Sequence, residues 1–273
     1  MPSLNSPADQ PAGAPAAPLV RTVADRRTLE FMPGDIQSEM RLSRPDQLMS
    51  AYCRAMMGFV LFVPDPRHIV MVGLGGGSLA KFCHRYFPRA RITVIELRAD
   101  VIALREQFSV PPDDARFTVV QADACIWLAQ AANANAPDVD VLLVDGFDSH
   151  GLPPALGSAR FYGDCLRVLR DGGVLVANIF SYDPHYQGML ARLGLMFDGR
   201  VCLLKGVAGN NRIHYALKAP ARLAAGQVAA PLLRALRRQR WIARQGGLGP
   251  AWLNRLLVAG MIAWCEHKRT RSR

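Results

Sequence analysis

The amino-acid sequence predicts an α/β protein built on a mostly parallel sheet that is covered by helices on both faces. Between residues 67 and 218, apolar strand-like segments alternate with helical patterns. The strand segments are apolar almost throughout, which is typical of strands buried on both faces. Three of them end in a glycine turn or an acidic residue. Because ligands bind beyond the carboxyl ends of parallel strands, these positions indicate a site at one edge of the sheet.

The chain before residue 67 predicts only small elements. Residues 1–25 begin with a stretch rich in proline and alanine, and we expect them to form a disordered lead-in. Residues 26–66 predict a short hairpin around the Pro-Gly-Asp turn at 33–35, followed by a helix over 45–62.

Residues 67–218 predict one domain of seven strands and five helices. The strands are expected over 68–73, 91–96, 116–121, 139–145, 174–180, 200–205 and 212–217. The helices are expected over 79–86, 99–108, 124–132, 158–169 and 184–196.

Residues 219–273 predict a basic helical appendage. The chain carries a net charge of +11, of which residues 1–218 contribute +1 and the appendage +10. Two helices, over 221–244 and 251–267, are separated by a Gly-Pro-rich breaker at 246–250. The second has an apolar stripe, which indicates that the core or a partner chain covers it. The stripe consists of Leu253, Leu256, Leu257, Gly260, Met261, Trp264 and Cys265.

The charge of the arginine-rich part of the appendage does not identify its partner. An acidic partner, a nucleic acid or an anionic membrane surface would each suit its charge. A docked pair of helices with a solvated basic face is the simpler interpretation, because aromatic residues are few and no nucleic-acid motif is present.

Cysteine usage indicates a reducing compartment and no metal. The six cysteines are scattered and form no Cys-x-x-Cys pair, so we expect buried free thiols in a cytoplasmic protein. The spacing of the cysteines and histidines does not match a zinc site. No apolar run is long enough to span a bilayer.

The most informative segment is Gly73-Leu74-Gly75-Gly76-Gly77, between the first core strand and its helix. Glycines let the backbone approach a ligand closely, and the following helix presents free N–H groups. Such a turn also occurs where it serves only packing. The interpretation as a ligand site therefore depends on the acids at the following strand ends.

Glu96 and Asp123 follow the next two strands. Glu96 lies 19 residues beyond Gly77, a spacing suited to accepting both hydroxyls of a ribose. Asp123, next to Ala124, suits an adenine amino group. A solvated strand end for Glu96 and an N-cap for Asp123 are the alternatives.

Asp145 and Asp148 lie on the turn after the fourth strand. One carboxylate of such a pair can orient an amine while the other accepts its proton. A carboxylate also favours a nearby sulfonium cation. The alternative is an ordinary turn, in which aspartate and glycine are common.

These residues resemble the spermidine synthase family of polyamine aminopropyltransferases, over roughly residues 30–218. The resemblance is clearest in the glycine turn, at Glu96 and Asp123, in the segment at 145–153, at Phe161-Tyr162 and in the turn at 171–173. It implies a Rossmann-like, methyltransferase-type seven-stranded sheet. It also implies a polyamine substrate and an adenosyl sulfonium co-substrate, either decarboxylated S-adenosylmethionine or S-adenosylmethionine. A homodimer is a further expectation.

The resemblance also implies residue roles. Asp145 would deprotonate the attacking amine, Asp148 would anchor that amine, and Tyr52 would line the amine side of the pocket. The donor would contact Gln37, Gly73, Gly75, Gly76, Gly77, Glu96, Asp123, Ala124 and Asp145.

The chain differs from the family at two places in this pattern. It has Gly76, Gly77 and Ser78 where the family's glycine loop carries an acid, and it has Arg54 in the segment after Tyr52. If Arg54 faces the pocket, these changes would favour a ligand that keeps its carboxylate. Two alternatives to an aminopropyltransferase therefore stay open. One is an S-adenosylmethionine-dependent methyltransferase, and the other is a catalytically silent nucleoside- or polyamine-binding protein whose tail recruits a partner.

Overall fold

The computed structural model describes residues 17–134, 138–148, 151–204, 206–219 and 251–270. The described part opens with a three-stranded antiparallel sheet. Its strands are β1 (Leu19–Val23), β2 (Arg26–Glu30) and β3 (Ile36–Arg41). The hairpin predicted around residues 33–35 is confirmed as β2 and β3, and a further strand, β1, is added. The predicted lead-in is therefore wrong for β1, while residues 1–16 lie outside the described part. β1 is an edge strand held by its pairing with β2, and four of its five residues are exposed, so burial leaves little pattern in its sequence.

The helix predicted over 45–62 is shorter in the structure. Helix α1 spans Ala51–Met56, and a 3₁₀ helix follows over Met57–Leu61. The preceding segment forms turns that are tied to the core, because the carboxylate of Asp46 accepts a hydrogen bond from the hydroxyl of Tyr86 at 2.9 Å.

The central sheet has the seven predicted strands. They are β4 (His68–Val72), β5 (Arg91–Glu96), β6 (Phe117–Gln121), β7 (Val139–Val144), β8 (Leu169–Phe180), β9 (Val201–Leu203) and β10 (Asn211–Leu217). Their order across the sheet is β6-β5-β4-β7-β8-β10-β9. β4 to β8 are mutually parallel, and β10 is antiparallel to both of its neighbours. The prediction of a mostly parallel methyltransferase-type sheet is confirmed.

Helices cover both faces of this sheet, as alternate residues of β4 show. Ile69 and Met71 belong to one apolar cluster, whereas Val70 and Val72 belong to the cluster on the other side. The helices are α2 (Ser78–Tyr86), α3 (Ala99–Ile102), α4 (Ala124–Asn133), α5 (Ala159–Val168) and α6 (Tyr186–Met196).

Helix α3 ends earlier than the predicted helix over 99–108. Turns follow Ile102 and bury the side chain of Phe108. The same turns present the carbonyl of Phe108 to the ammonium of the buried Lys81 at 2.7 Å. A buried lysine needs such an acceptor. The chain supplies it by leaving the helical conformation after Ile102, so helix α3 does not continue to residue 108.

The C-terminal helix α7 (Ala251–Thr270) packs against α1, α2 and the 3₁₀ helix. The predicted apolar stripe is only partly correct: Met261 and Cys265 are buried, but Leu253, Leu256, Leu257, Gly260 and Trp264 are exposed. The buried face instead runs through Asn254, Val258, Met261 and Cys265. The helix is apolar nearly all round, so its contacts with α1, α2 and the 3₁₀ helix decide which side is buried.

The helix predicted over 221–244 lies outside the described residues. Among the described helices, none combines the length and apolar character that a membrane span requires.

We expect Met261→Ala to lower the free energy of unfolding by about 2–4 kcal/mol, because it leaves a cavity under α7. Met261 is 5% exposed, whereas Leu256 on the same helix is 62% exposed. The matched control Leu256→Ala should therefore change the free energy by less than about 0.5 kcal/mol. Urea denaturation of both variants is the measurement, and equal effects would show that α7 is not docked by this face.

Candidate active site

A cavity of about 480 Å³ opens at the carboxyl ends of β4, β5, β6 and β7. It lies where the strand order reverses, between β4 and β7, which is the usual place for a ligand in an open parallel sheet. Of the predicted site residues, those that line the cavity are Gln37, Tyr52, Gly73, Gly75, Glu96, Asp123, Ala124, Asp145 and Asp148.

Gly73 lets the turn after β4 touch the turn after β7. Its φ is +92°, and a Cβ atom there would lie 2.4 Å from the carbonyl oxygen of Asp145. The Gly73 N–H donates to the carbonyl of Ile95 at 2.8 Å, and the Asp145 N–H donates to the carbonyl of Val72 at 3.0 Å. Three strand ends are thereby joined by backbone contacts.

Gly76 and Gly77 do not line the cavity, although both were predicted to bind the donor. Gly76 packs against β3 and the turns after α3 instead. A Cβ atom at Gly76 would lie 2.6 Å from Ser38 Oγ and 2.8 Å from Phe108 Cδ1. An acidic side chain has no room at this position, which explains why the turn carries glycine there.

Glu96 braces the glycine turn from the end of β5. Its side chain is buried; Oε2 accepts the N–H of Leu74 at 2.8 Å, and Oε1 accepts the N–H of Arg98 at 2.9 Å. Each carboxylate oxygen can accept a further hydrogen bond. A buried carboxylate with both oxygens fixed in this way suits a pair of neighbouring hydroxyl groups.

Asp123 caps α4, as the alternative interpretation of the sequence had it. Oδ1 accepts the N–H groups of Cys125 at 2.7 Å and Ile126 at 3.1 Å. Because both bonds use Oδ1, capping leaves Oδ2 for a hydrogen bond with a ligand in the cavity.

Asp145 is the half-buried carboxylate at the end of β7. Its Oδ1 accepts a hydrogen bond from Asn178 Nδ2 at 2.8 Å, and Asn211 Nδ2 in turn donates to Asn178 Oδ1 at 2.9 Å. Burial raises the pKa of Asp145 to about 6, while hydrogen bonds from Asn178 and Tyr52 act in the opposite direction. A carboxylate with this pKa can accept a proton near neutral pH.

The hydroxyl of Tyr52 faces the same carboxylate. Burial and the negative charge of Asp145 raise the pKa of Tyr52 well above its ordinary value. The hydroxyl therefore keeps its proton and serves as a hydrogen-bond donor.

Asp148 lies on the loop after β7, beside aromatic side chains. Its backbone pairs with Gly151, with the Asp148 N–H donating to the Gly151 carbonyl at 2.9 Å. The ring centroids of Phe147 and Phe180 are 4.3 Å apart, and Tyr182 stacks on Phe180 at 5.0 Å. Aromatic faces next to carboxylates suit an organic cation.

The polar residues of the cavity wall that sequence reasoning missed include Asp35, Asn178 and Asn211. Asn178 has a detectable signal, since it interrupts the apolar strand β8 and is 1% exposed. Asp35 and Asn211 lie next to a turn and at a strand end, where polar residues are ordinary.

Arg54 does not face the pocket, so the condition under which it would add a cation there is not met. Its Nη1 donates to the carbonyls of Leu48 at 2.8 Å and Met49 at 2.7 Å, and Arg54 does not line the cavity. Among the described lining residues, Arg98 is the only cationic one. It is paired with Asp100 and lies over the ring of Phe31 at 4.7 Å. Five carboxylates line the same cavity: Asp35, Glu96, Asp123, Asp145 and Asp148.

Three comparisons relate this chain to known proteins. The polyamine aminopropyltransferase of Chromobacterium violaceum is 39% identical over 186 residues, which cover 68% of this chain and 70% of that protein. A probable spermidine synthase from Corynebacterium glutamicum has the same fold, with a TM-score of 0.64 at 20% identity, covering 89% of this chain and 91% of that one. Human methyltransferase-like protein 13, solved in complex with SAH, shares the fold with a TM-score of 0.52 at 23% identity, covering 73% and 91%.

The model of the spermine/spermidine synthase domain matches residues 49–197, a stretch that runs from α1 to the end of α6 and contains most of the cavity wall. With this match and the curated relative, the chain belongs to the spermine/spermidine synthase family.

Proposed function

We propose that the chain transfers an aminopropyl group from decarboxylated S-adenosylmethionine to an amino group of a polyamine. The charge of the cavity carries this proposal: among the lining residues that the structure describes, five are carboxylates, and the single cationic one, Arg98, is already paired. The donor bears a sulfonium and an ammonium group but no carboxylate, so it complements this charge. The carboxylate of S-adenosylmethionine would instead be repelled.

The donor's adenosine would lie against the ends of β4, β5 and β6. Glu96 would accept the ribose hydroxyls, and Asp123 with Ala124 would contact the adenine. Gly73 and Gly75 would leave room for the nucleoside, while Gly76 and Gly77 shape the turn from behind, and Gln37 would contact the donor from β3.

The acceptor amine would enter beside Asp145, Asp148 and Tyr52. Its nitrogen lone pair attacks the methylene carbon next to sulfur as the carbon–sulfur bond breaks. The bonding electrons stay on sulfur, and neutral methylthioadenosine leaves. Asp145 takes the proton from the attacking nitrogen, and Asp148 holds the amine. The protein contributes proximity and charge placement.

We further propose that residues 26–66 close the cavity from one side, that 67–218 bind the nucleoside and that 219–273 form an appendage. Gln37 and Tyr52 support the first part of this proposal, since they bring the N-terminal segment to the cavity wall.

The homodimer and the acidic partner of the tail stay predictions. Light scattering tests the first, and heparin retention of the full chain against a variant lacking 219–273 tests the second.

We expect Asp145→Asn to lower the rate of methylthioadenosine release by roughly 100- to 10,000-fold, because the variant lacks the proton acceptor. The assay supplies decarboxylated S-adenosylmethionine and putrescine and detects methylthioadenosine by chromatography. Asp138→Asn is the matched control, since Asp138 is exposed at the amino end of β7 and pairs with Arg91. It should keep full activity.

Two results would contradict the proposal. Methylthioadenosine release by the parent chain that Asp145→Asn leaves unchanged would remove Asp145 from the reaction. Methyl transfer from S-adenosylmethionine, without use of the decarboxylated donor, would favour the methyltransferase alternative. Thermal shifts with both donors and methylthioadenosine separate binding from turnover.

The pH dependence follows from the raised pKa of Asp145. The base must be ionised, so kcat/KM should rise with pH through a midpoint near 6 and then level off. Asn178→Ala removes a hydrogen bond that stabilises the ionised carboxylate, so the midpoint should move to higher pH. Asn133→Ala, at the exposed end of α4, should leave the midpoint in place. A midpoint that stays fixed in Asn178→Ala would refute the assignment of the titration to Asp145.

A further inference from the structure

Asp35 contributes a further carboxylate to the cavity wall, from outside the glycine turn and the ends of the central strands. It lies directly before β3 and is half-buried. Its N–H donates to the carbonyl of Met32 at 2.9 Å, and its Oδ2 accepts the side-chain amide of Gln37 at 2.7 Å. Asp35 is therefore held at both its backbone and its side chain.

The turn that carries Asp35 is fixed from beneath by a second acid. The N–H of Gly34 donates to Glu30 Oε2 at 2.9 Å, and Thr28 donates to the other oxygen of Glu30 at 2.9 Å. The side chain of Glu30 is 5% exposed. A turn fixed by a buried carboxylate presents Asp35 to the cavity with little loss of conformational freedom on binding.

Asp35 differs from its acidic neighbours in its charge environment. Glu30 lies 3.7 Å from Arg21, and Glu39 lies 2.8 Å from Arg26. Among the described lysine, arginine and histidine side chains, none forms an ion pair with Asp35. The hydrogen bond from Gln37 is neutral and leaves the negative charge in place. A half-buried carboxylate of this kind is stabilised by a cation from the ligand.

The position of Asp35 favours the donor over the acceptor as the source of that cation. Ser38, three residues later, lies against the glycine turn, with its Oγ 3.4 Å from Ser78 Oγ. The β3 segment thus meets the cavity at the turn expected to face the donor, whereas Asp145 and Asp148 follow β7. Gly76, on the same turn, has no room for an acidic side chain, because Ser38 and Phe108 fill that space.

We propose that Asp35, positioned by Gln37, binds the ammonium group of the donor's aminopropyl chain and so selects the decarboxylated donor over S-adenosylmethionine. This inference rests on the proposed function. Beside the same ammonium, S-adenosylmethionine carries a carboxylate, which Asp35 would repel.

The test compares two ligands that differ in this ammonium. Decarboxylated S-adenosylmethionine carries it, and methylthioadenosine, which has the same nucleoside, does not. In Asp35→Asn, we expect calorimetric binding of decarboxylated S-adenosylmethionine to weaken by about 10- to 100-fold, the value of one charge-assisted hydrogen bond. Binding of methylthioadenosine should stay unchanged, and the preference over S-adenosylmethionine should shrink.

Two variants control for charge and for folding. Glu39→Gln removes one negative charge from β3, the strand that follows Asp35, outside the cavity lining, and should leave both affinities unchanged. Asp35→Glu keeps the charge and should recover part of the affinity for the decarboxylated donor. Unchanged methylthioadenosine binding in Asp35→Asn also shows that the variant is folded.

Three results would overturn the inference: equal weakening of both ligands, no weakening of either, or a higher KM for putrescine with unchanged donor binding. The last would assign Asp35 to the acceptor. Failure of the proposed function is distinguishable from all three, because the parent chain itself would then release no methylthioadenosine from decarboxylated S-adenosylmethionine and putrescine.

Discussion

The turn after β4 lies directly against the turn after β7, with no side chain between them at Gly73. A Cβ atom there would come within 2.4 Å of the Asp145 carbonyl oxygen, so this contact requires glycine. Parallel pairing of β4 with β7 brings both turns to one edge, and the bond from Asp145 N–H to the Val72 carbonyl fixes their separation. The proposed nucleoside site at the first turn and the proposed proton acceptor at the second become neighbours through this contact. An added side chain would move both at once.

The carboxylates around the cavity are held by different partners, and this gives them different uses. Glu96 and Asp123 each accept two backbone N–H groups, which fixes their positions. Asp145 is held by the side chains of Asn178 and Tyr52, and burial outweighs them in setting its pKa. The first two acids thus suit binding of neutral polar groups, and Asp145 suits proton transfer. One acidic cavity can therefore serve both recognition and chemistry.

The fold was largely predictable because its strongest signals are local. The apolar strands β4 and β7, flanked by glycine and acidic turns, follow from a few consecutive residues each. The errors fall where distant contacts decide. β1 exists through its pairing with β2, α3 stops where the carbonyl of Phe108 meets Lys81, and α7 buries the face that meets the core. Local periodicity carries no information about such partners.

For the candidate site, the sequence by itself determined which residues meet at the strand ends: Gly73, Gly75, Glu96, Asp123, Asp145 and Asp148. Parallel strands must bring these residues to one edge, so strand order and residue type were sufficient. Only the tertiary structure decided that Arg54 turns towards the carbonyls of Leu48 and Met49. It also decided that Ser38 fills the space beside Gly76, and that Asp35 and Asn178 join the wall. The partners of Arg54 are only five and six residues away, but the direction of its side chain depends on how α1 packs. The other segments that meet at the cavity wall are about 30 to 140 residues apart in sequence, and their contacts depend on how β3 and β8 pack around the cavity.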